Sequence, residues 1–161
     1  METKEKAFVR LGYNQKGTKE IVDKINLLIC NYHVHYQKLR NFHWNVTGHD
    51  FFDLHEKFED MYNFTRENID SLAERVRVFG ARPTSRLEDY LKHSKIMEPK
   101  GSPSPEEMVT EILSDLETVL SQMMAVLEAA NDAGDVSTIE MVQKIVQKTE
   151  KDYWMLTAWL Q

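Results

Sequence analysis

Apolar positions recur at intervals of three and four through four long stretches of this chain, the spacing that turns one face of an α-helix toward a core. The first predicted helix runs from about residue 18 to residue 46, with Ile21, Ile25, Leu28, Ile29, Tyr32, Leu39 and Phe42 on its stripe, and Thr47-Gly48 stops it. Asp50 is placed to cap a second helix over about 51–79, carrying Leu54, Phe58, Met61, Tyr62, Ile69, Leu72, Ala73 and Val76. Gly80, followed by Pro83, is a left-handed terminator. Residues 81–104 form a long connection with a short helical piece near 86–93. Ser104-Pro105-Glu106-Glu107 then predicts a sharp helix start, with Ser104 as cap, proline in the first turn and carboxylates at the positive end of the dipole. The third helix carries Met108, Ile112, Leu116, Val119, Leu120, Met123 and Leu127 and ends near 131–134. The fourth carries Ile139, Val142, Ile145, Thr149, Tyr153, Leu156 and Leu160.

Two helices, a long crossover and two more helices describe an all-α four-helix bundle with one long connection and a short extra helix in that crossover. The bundle domain is expected over residues 18–161, preceded by an N-terminal tail, 1–17. A length of 161 residues suits one domain with its own core, and 42% hydrophobic against 29% charged residues excludes wholesale disorder. The single cysteine, Cys30, has no intrachain partner and lies in an apolar helical pattern, so a buried inert thiol is expected.

No apolar run approaches the roughly 20 residues of a membrane span, and residues 1–14 lack the apolar core of a signal peptide. Cytoplasmic residence is the expectation. The net charge of -6 argues against a surface that coats nucleic acid. The tail sets Lys4, Lys6, Arg10 and Lys16 against Glu2 and Glu5, a mildly basic segment whose DNA affinity would depend on many copies acting together.

Residues 41–75 carry the candidate chemistry. They contain His43, a His-x3-Glu pair at His55 and Glu59, and an Asp-x3-Glu pair at Asp70 and Glu74. Residues four apart share a helical face, so each pair offers two donors to a metal. On one helix, His55 and Asp70 lie about 22 Å apart at about 1.5 Å of rise per residue, too far to share an ion. Two antiparallel copies of the second helix, related by a two-fold near Phe64-Thr65, bring 55 opposite 74 and 59 opposite 70. Each end then joins His55 and Glu59 of one chain to Asp70 and Glu74 of the other, with His43 able to complete the cluster. Mixed nitrogen and oxygen donors suit Fe(II), Mn(II) or Zn(II). The plainer alternative is solvated glutamates, an aspartate paired with arginine and a packing histidine. No glutamate has a histidine three residues later, so a di-iron site inside the bundle is not encoded in the usual form.

The strings FHWNVTG, FFDLHEKFEDMY and IDSLAERV resemble the Dps family of mini-ferritins, closely through residues 41–75 and in helix layout over most of the chain. The resemblance implies a ferritin-like bundle assembled into a dodecameric cage. It implies a ferroxidase that oxidises Fe(II), preferably with hydrogen peroxide, at centres between subunits, stores the ferric mineral and protects against oxidative stress. Carried over by motif, the iron ligands are His43, His55 and Glu59 of one subunit and Asp70 and Glu74 of its partner, with Zn(II) or Mn(II) as competitors. Glu59 stands where the family often has aspartate, leaving open whether it binds iron directly or supports a ligand. Trp44 matches the family tryptophan beside the iron; it is read either as an electron donor that quenches oxidant or as an aromatic filling the interface. Pores at the three-fold axes would draw on Asp132, Asp135 and Glu140, although a solvated loop explains these acids equally well.

Some relatives compact DNA, which makes a DNA-binding architectural protein, associated with the nucleoid, the alternative function. The short tail predicts weak DNA binding. His33 and His35 point to different faces and are expected to be hydrogen-bonded or exposed; His49 is a loop residue and His93 has no partner at metal spacing. Tyr153, Trp154 and Trp159 are expected in core and contact surface.

Overall fold

The computed structural model describes residue 9 and residues 11–161. The basic tail positions Lys4, Lys6 and Arg10 and the acids Glu2 and Glu5 lie outside the described residues. Five helices follow one another: α1 (Gln15–Asn45), α2 (Phe51–Val78), α3 (Leu87–His93), α4 (Pro105–Asp132) and α5 (Val136–Trp159). The all-α bundle with a short helix in its crossover is thus the observed architecture. The α1–α2 and α4–α5 pairs pack against each other mainly through α1 and α4, and α3 lies across α1. The core is the meeting of the predicted stripes, with Ile21, Ile25, Leu28, Leu39, Phe42, Phe58, Leu72, Ile112 and Met123 fully buried, and Cys30 among them.

Local chemistry accounts for the helix ends. The Ser104 side chain accepts from the Glu107 backbone N–H while Glu107 accepts from that of Ser104, a complete capping box ahead of α4. Gly80 ends α2 with φ +72°, and Ala81 N–H returns to the Val76 carbonyl at 3.2 Å. Two ends differ from expectation. Helix α1 begins three residues early, inside the segment read as tail, because Asn14 caps it by accepting from Gly17 N–H at 2.8 Å. Gly17 there faces Ala133: a Cβ in its place would stand 2.8 Å from the alanine methyl. Asp50 occupies the cap position of α2, but its side chain makes no capping bond.

Polar contacts pin the bundle where apolar packing alone would not choose a register. Asn31 accepts from Lys95 N–H at 2.7 Å and Ile96 N–H at 3.3 Å, and donates to Gln122 at 2.8 Å, tying the crossover to α1 and α4. His35 Nδ1 lies 3.0 Å from Asp115, which also takes Lys38 Nζ at 2.9 Å, all three buried between α1 and α4. No helix among the described residues is long and apolar enough to cross a membrane.

Candidate metal centre

Three donors converge where the end of α1 meets the first turns of α2. His43 sits in the last turn of α1, and His55 and Glu59 stand one turn apart on α2. One ligand atom from each lies within 4.8 Å of the others. His43 is buried, His55 half-buried and Glu59 exposed, so the cluster faces outward on its carboxylate side.

The two histidines hold each other. His43 Nδ1–H donates to the His55 backbone carbonyl, and His55 Nδ1–H to the His43 carbonyl, both at 2.7 Å. Their rings stack with centroids 3.8 Å apart. A carbonyl oxygen only accepts, so both Nδ1 atoms carry a proton, and in a neutral imidazole the lone pair open to a cation is then that of Nε2. The His43 carbonyl lies in the last turn of α1, where helical carbonyls lack partners. Metal-binding histidines are typically oriented by such bonds from their second nitrogen, and the donor set fits a hard or borderline divalent ion such as Fe(II).

Aromatic rings enclose the inner side. Among the described residues, the rings against these imidazoles are Phe51, stacked on His55 at 4.9 Å, and Tyr62, edge-on to His43 at 5.3 Å. The Tyr62 phenol is pushed above its ordinary value, first by desolvation and then by the nearby charge of Glu59. The sequence places Tyr62 in the apolar stripe; its position three residues after Glu59 is the signal for a second role. Trp44 is 57% exposed and lies under the Arg40 guanidinium, 4.7 Å from its ring.

Asp70 and Glu74 stand farther along α2, both exposed, and are not brought to His43 within the subunit. Asp70 lines a separate cavity of about 540 Å³ with His33, Arg66 and Ile69. His33 stacks on Tyr90 at 3.8 Å, and desolvation holds it below the ordinary imidazole value. His93 Nδ1–H bonds the Asp89 carbonyl. Of the pore candidates, Asp135 is corrected: it is fully buried, caps α5 through Thr138 and pairs with Arg75 at 2.6 Å. Glu140 is exposed and paired with Lys144, and Asp132 is exposed.

Comparison with known proteins extends this geometry. Residues 22–161 match the ferritin-like domain model of the Ferritin family. A DNA protection during starvation protein of Brevibacillus brevis is 39% identical over 137 residues, 85% of this chain and 92% of that protein. General stress protein 20U of Bacillus subtilis is 36% identical over 143 residues, 89% of this chain and 99% of that protein. Among solved structures, a Dps protein from Vibrio cholerae, described as a member of a broad superfamily of ferritin-like diiron-carboxylate proteins, superposes with a TM-score of 0.90 at 34% identity. The match covers 94% of this chain and 95% of that one.

Proposed function

The chain belongs to the Dps family of ferritin-like proteins, and from that premise we propose that it is a ferroxidase and iron-storage protein working as a cage of identical subunits. The observation that carries this reading is the His43–His55 pair, whose mutual carbonyl bonds occupy both Nδ1 atoms while a ligand atom of each ring and one of Glu59 lie within 4.8 Å of one another. Fe(II) is the substrate. Two ferrous ions supply two electrons to hydrogen peroxide, whose O–O bond breaks; with two protons the products are two Fe(III) and two waters. Paired delivery avoids releasing hydroxyl radical.

One subunit supplies three of the five ligands of a centre and its partner the other two. Residues 55 and 74, and 59 and 70, are symmetric about the midpoint between 64 and 65 on α2, so an antiparallel partner adds Asp70 and Glu74 to each cluster. Glu59, Asp70 and Glu74 are all exposed in the single subunit, as ligands awaiting a partner must be. The carboxylates favour iron as it becomes ferric. A dodecameric cage holding the mineral, cytoplasmic residence and competition by Zn(II) or Mn(II) belong to the same proposal.

Anaerobic protein mixed with Fe(II) and then peroxide is expected to develop ferric absorbance rapidly. The double variant His43→Ala, Asp70→Ala is expected to lose nearly all of that rate. Wild-type kinetics in the variant would remove these residues from the site, and absence of ferric product in the wild type would overturn the function.

A further inference from the structure

The face of α2 that carries Glu59, Asp70 and Glu74 also carries a cation. Arg66 stands one turn before Asp70 and lines the same cavity of about 540 Å³, together with Glu67 and His33. Residues four apart share a helical face, so Arg66 lies about 6 Å along the axis from Asp70, on the side toward the two-fold. The reversal that sets 59 opposite 70 sets 66 opposite 63, which places Arg66 in the seam between subunits, adjacent to a centre. Other arginines of α2 and the crossover are engaged. Arg75 pairs with Asp135, Arg77 donates to the Ala81 carbonyl and Arg86 pairs with Glu88. Arg66 is exposed and has no ion-pair or hydrogen-bond partner among the described residues.

A guanidinium carries five N–H donors in a fixed fork and keeps its protons at any working pH. It neither ligates iron nor takes up a proton. What it offers is hydrogen bonds to an oxygen on which negative charge grows. Hydrogen peroxide presents such an oxygen: two electrons from two Fe(II) break the O–O bond, and the departing oxygen becomes hydroxide before a proton makes it water. Dioxygen arrives uncharged, carries no hydrogen and accepts hydrogen bonds poorly, so the same fork gives it little hold. We propose that Arg66 binds peroxide at the centre and sets the preference for peroxide over dioxygen. The proposal rests on the ferroxidase reading above, its two-fold arrangement included. The fork donates to the oxygen that leaves, and the balance stays two Fe(II), hydrogen peroxide and two protons going to two Fe(III) and two waters. Glu67 and Asp70 on the same helix outnumber this one positive charge, so the seam still attracts Fe(II).

The test mixes anaerobic, Fe(II)-loaded wild type, Arg66→Gln and Arg66→Lys with either peroxide or dioxygen and follows ferric absorbance. Arg66→Gln is expected to lower the ratio of peroxide-driven to dioxygen-driven rate about 10-fold, the value of one hydrogen bond to a charged group. The peroxide concentration giving half the maximal rate should rise with it. Arg66→Lys keeps the charge without the fork and should fall between; it carries the comparison if the neutral variant does not assemble. Arg82→Gln, which removes an exposed arginine beyond the end of α2, should keep the wild-type ratio. Anaerobic Co(II) titration of Arg66→Gln should show binding no weaker than wild type, because a cation has left the seam. A residue that only positioned Asp70 would weaken it. An unchanged ratio in both Arg66 variants, an equal loss with both oxidants, weaker Co(II) binding, or the same change in Arg82→Gln would overturn the assignment and leave the ferroxidase standing. Wild type that forms no ferric product with either oxidant would remove both.

Discussion

His43 and His55 are each other's support: each ring nitrogen Nδ1 donates to the other's backbone carbonyl at 2.7 Å, and the rings stack 3.8 Å apart. The end of α1 and the start of α2 are therefore tied through the same side chains that cluster with Glu59. On the proposed reading, two jobs that often fall to different residues, binding a metal and orienting its ligand, are shared within one pair.

This sharing predicts strong non-additivity. His55→Ala removes one donor and also frees the His43 ring, so the second imidazole is no longer held. Either single substitution to alanine is expected to weaken Zn(II) or Co(II) binding by about 100-fold or more, beyond the 10–100-fold typical of losing an orienting partner alone. The double variant is expected to lose little more than the worse single one. Calorimetric titration of all four proteins measures the coupling, and simple additivity would refute mutual support.

Arg75 and Asp135 make a second prediction, this time of stability. Burial alone would raise the Asp135 carboxyl, but the Arg75 guanidinium and the Thr138 bonds outweigh it and hold the group below its ordinary value. A carboxyl depressed in the folded state stabilises the protein above its unfolded pKa and loses that contribution as pH falls through the folded value. Asp135→Asn leaves Arg75 without its charge partner and is expected to cost about 3 kcal/mol near neutral pH. In urea titrations the gap between wild type and variant should hold down to about pH 5 and close below about pH 4. A gap that widens toward acid would contradict the assignment.

The buried group of His35, Lys38 and Asp115 separates fold from specificity. Lys38→Met leaves the Asp115 carboxylate beside an imidazole with no fixed cation, and about 3–5 kcal/mol of destabilisation is expected. Replacing all three by apolar residues of similar size should recover most of that loss, because no buried charge then lacks a partner. Chemical denaturation of the two proteins decides it; a triple variant less stable than Lys38→Met would show that the ionic group contributes net stability.

Much of the fold was legible because its signals are local. Helical periodicity marked the stripes, and Ser104 with Glu107 and Gly80 marked the ends. The early start of α1 was not, since Gln15, Lys16 and Gly17 are polar and only the Asn14 bond to Gly17 reveals the turn. At the site, the convergence of His43 with His55 and Glu59 followed from the spacing within α2 and the motif around residue 43. The carbonyl bonds that set both tautomers did not, because they depend on how α1 and α2 cross. Asp135 was misread for a related reason: an acid in a helix–helix turn looks solvated until Arg75, 60 residues away, is seen to reach it.

The inter-subunit character of the centre can be tested without a structure of the assembly. Take one variant that lacks a ligand of the first half-site, His43→Ala, and another that lacks a ligand of the second, Asp70→Ala. Each alone has every centre damaged, so both should be nearly inactive toward Fe(II) and peroxide. In a mixed two-fold pair, one centre joins the intact His43 of one chain to the intact Asp70 of the other, and the second centre carries both defects. Equal co-expression makes about half of the pairs mixed, each with one good centre of two, so activity should return to about a quarter of the wild-type rate. Mixing the separately assembled variants without dissociating them should return nothing. If co-expressed protein stays as inactive as its parents while still forming mixed pairs, the ligands come from one chain and the two-fold arrangement is wrong.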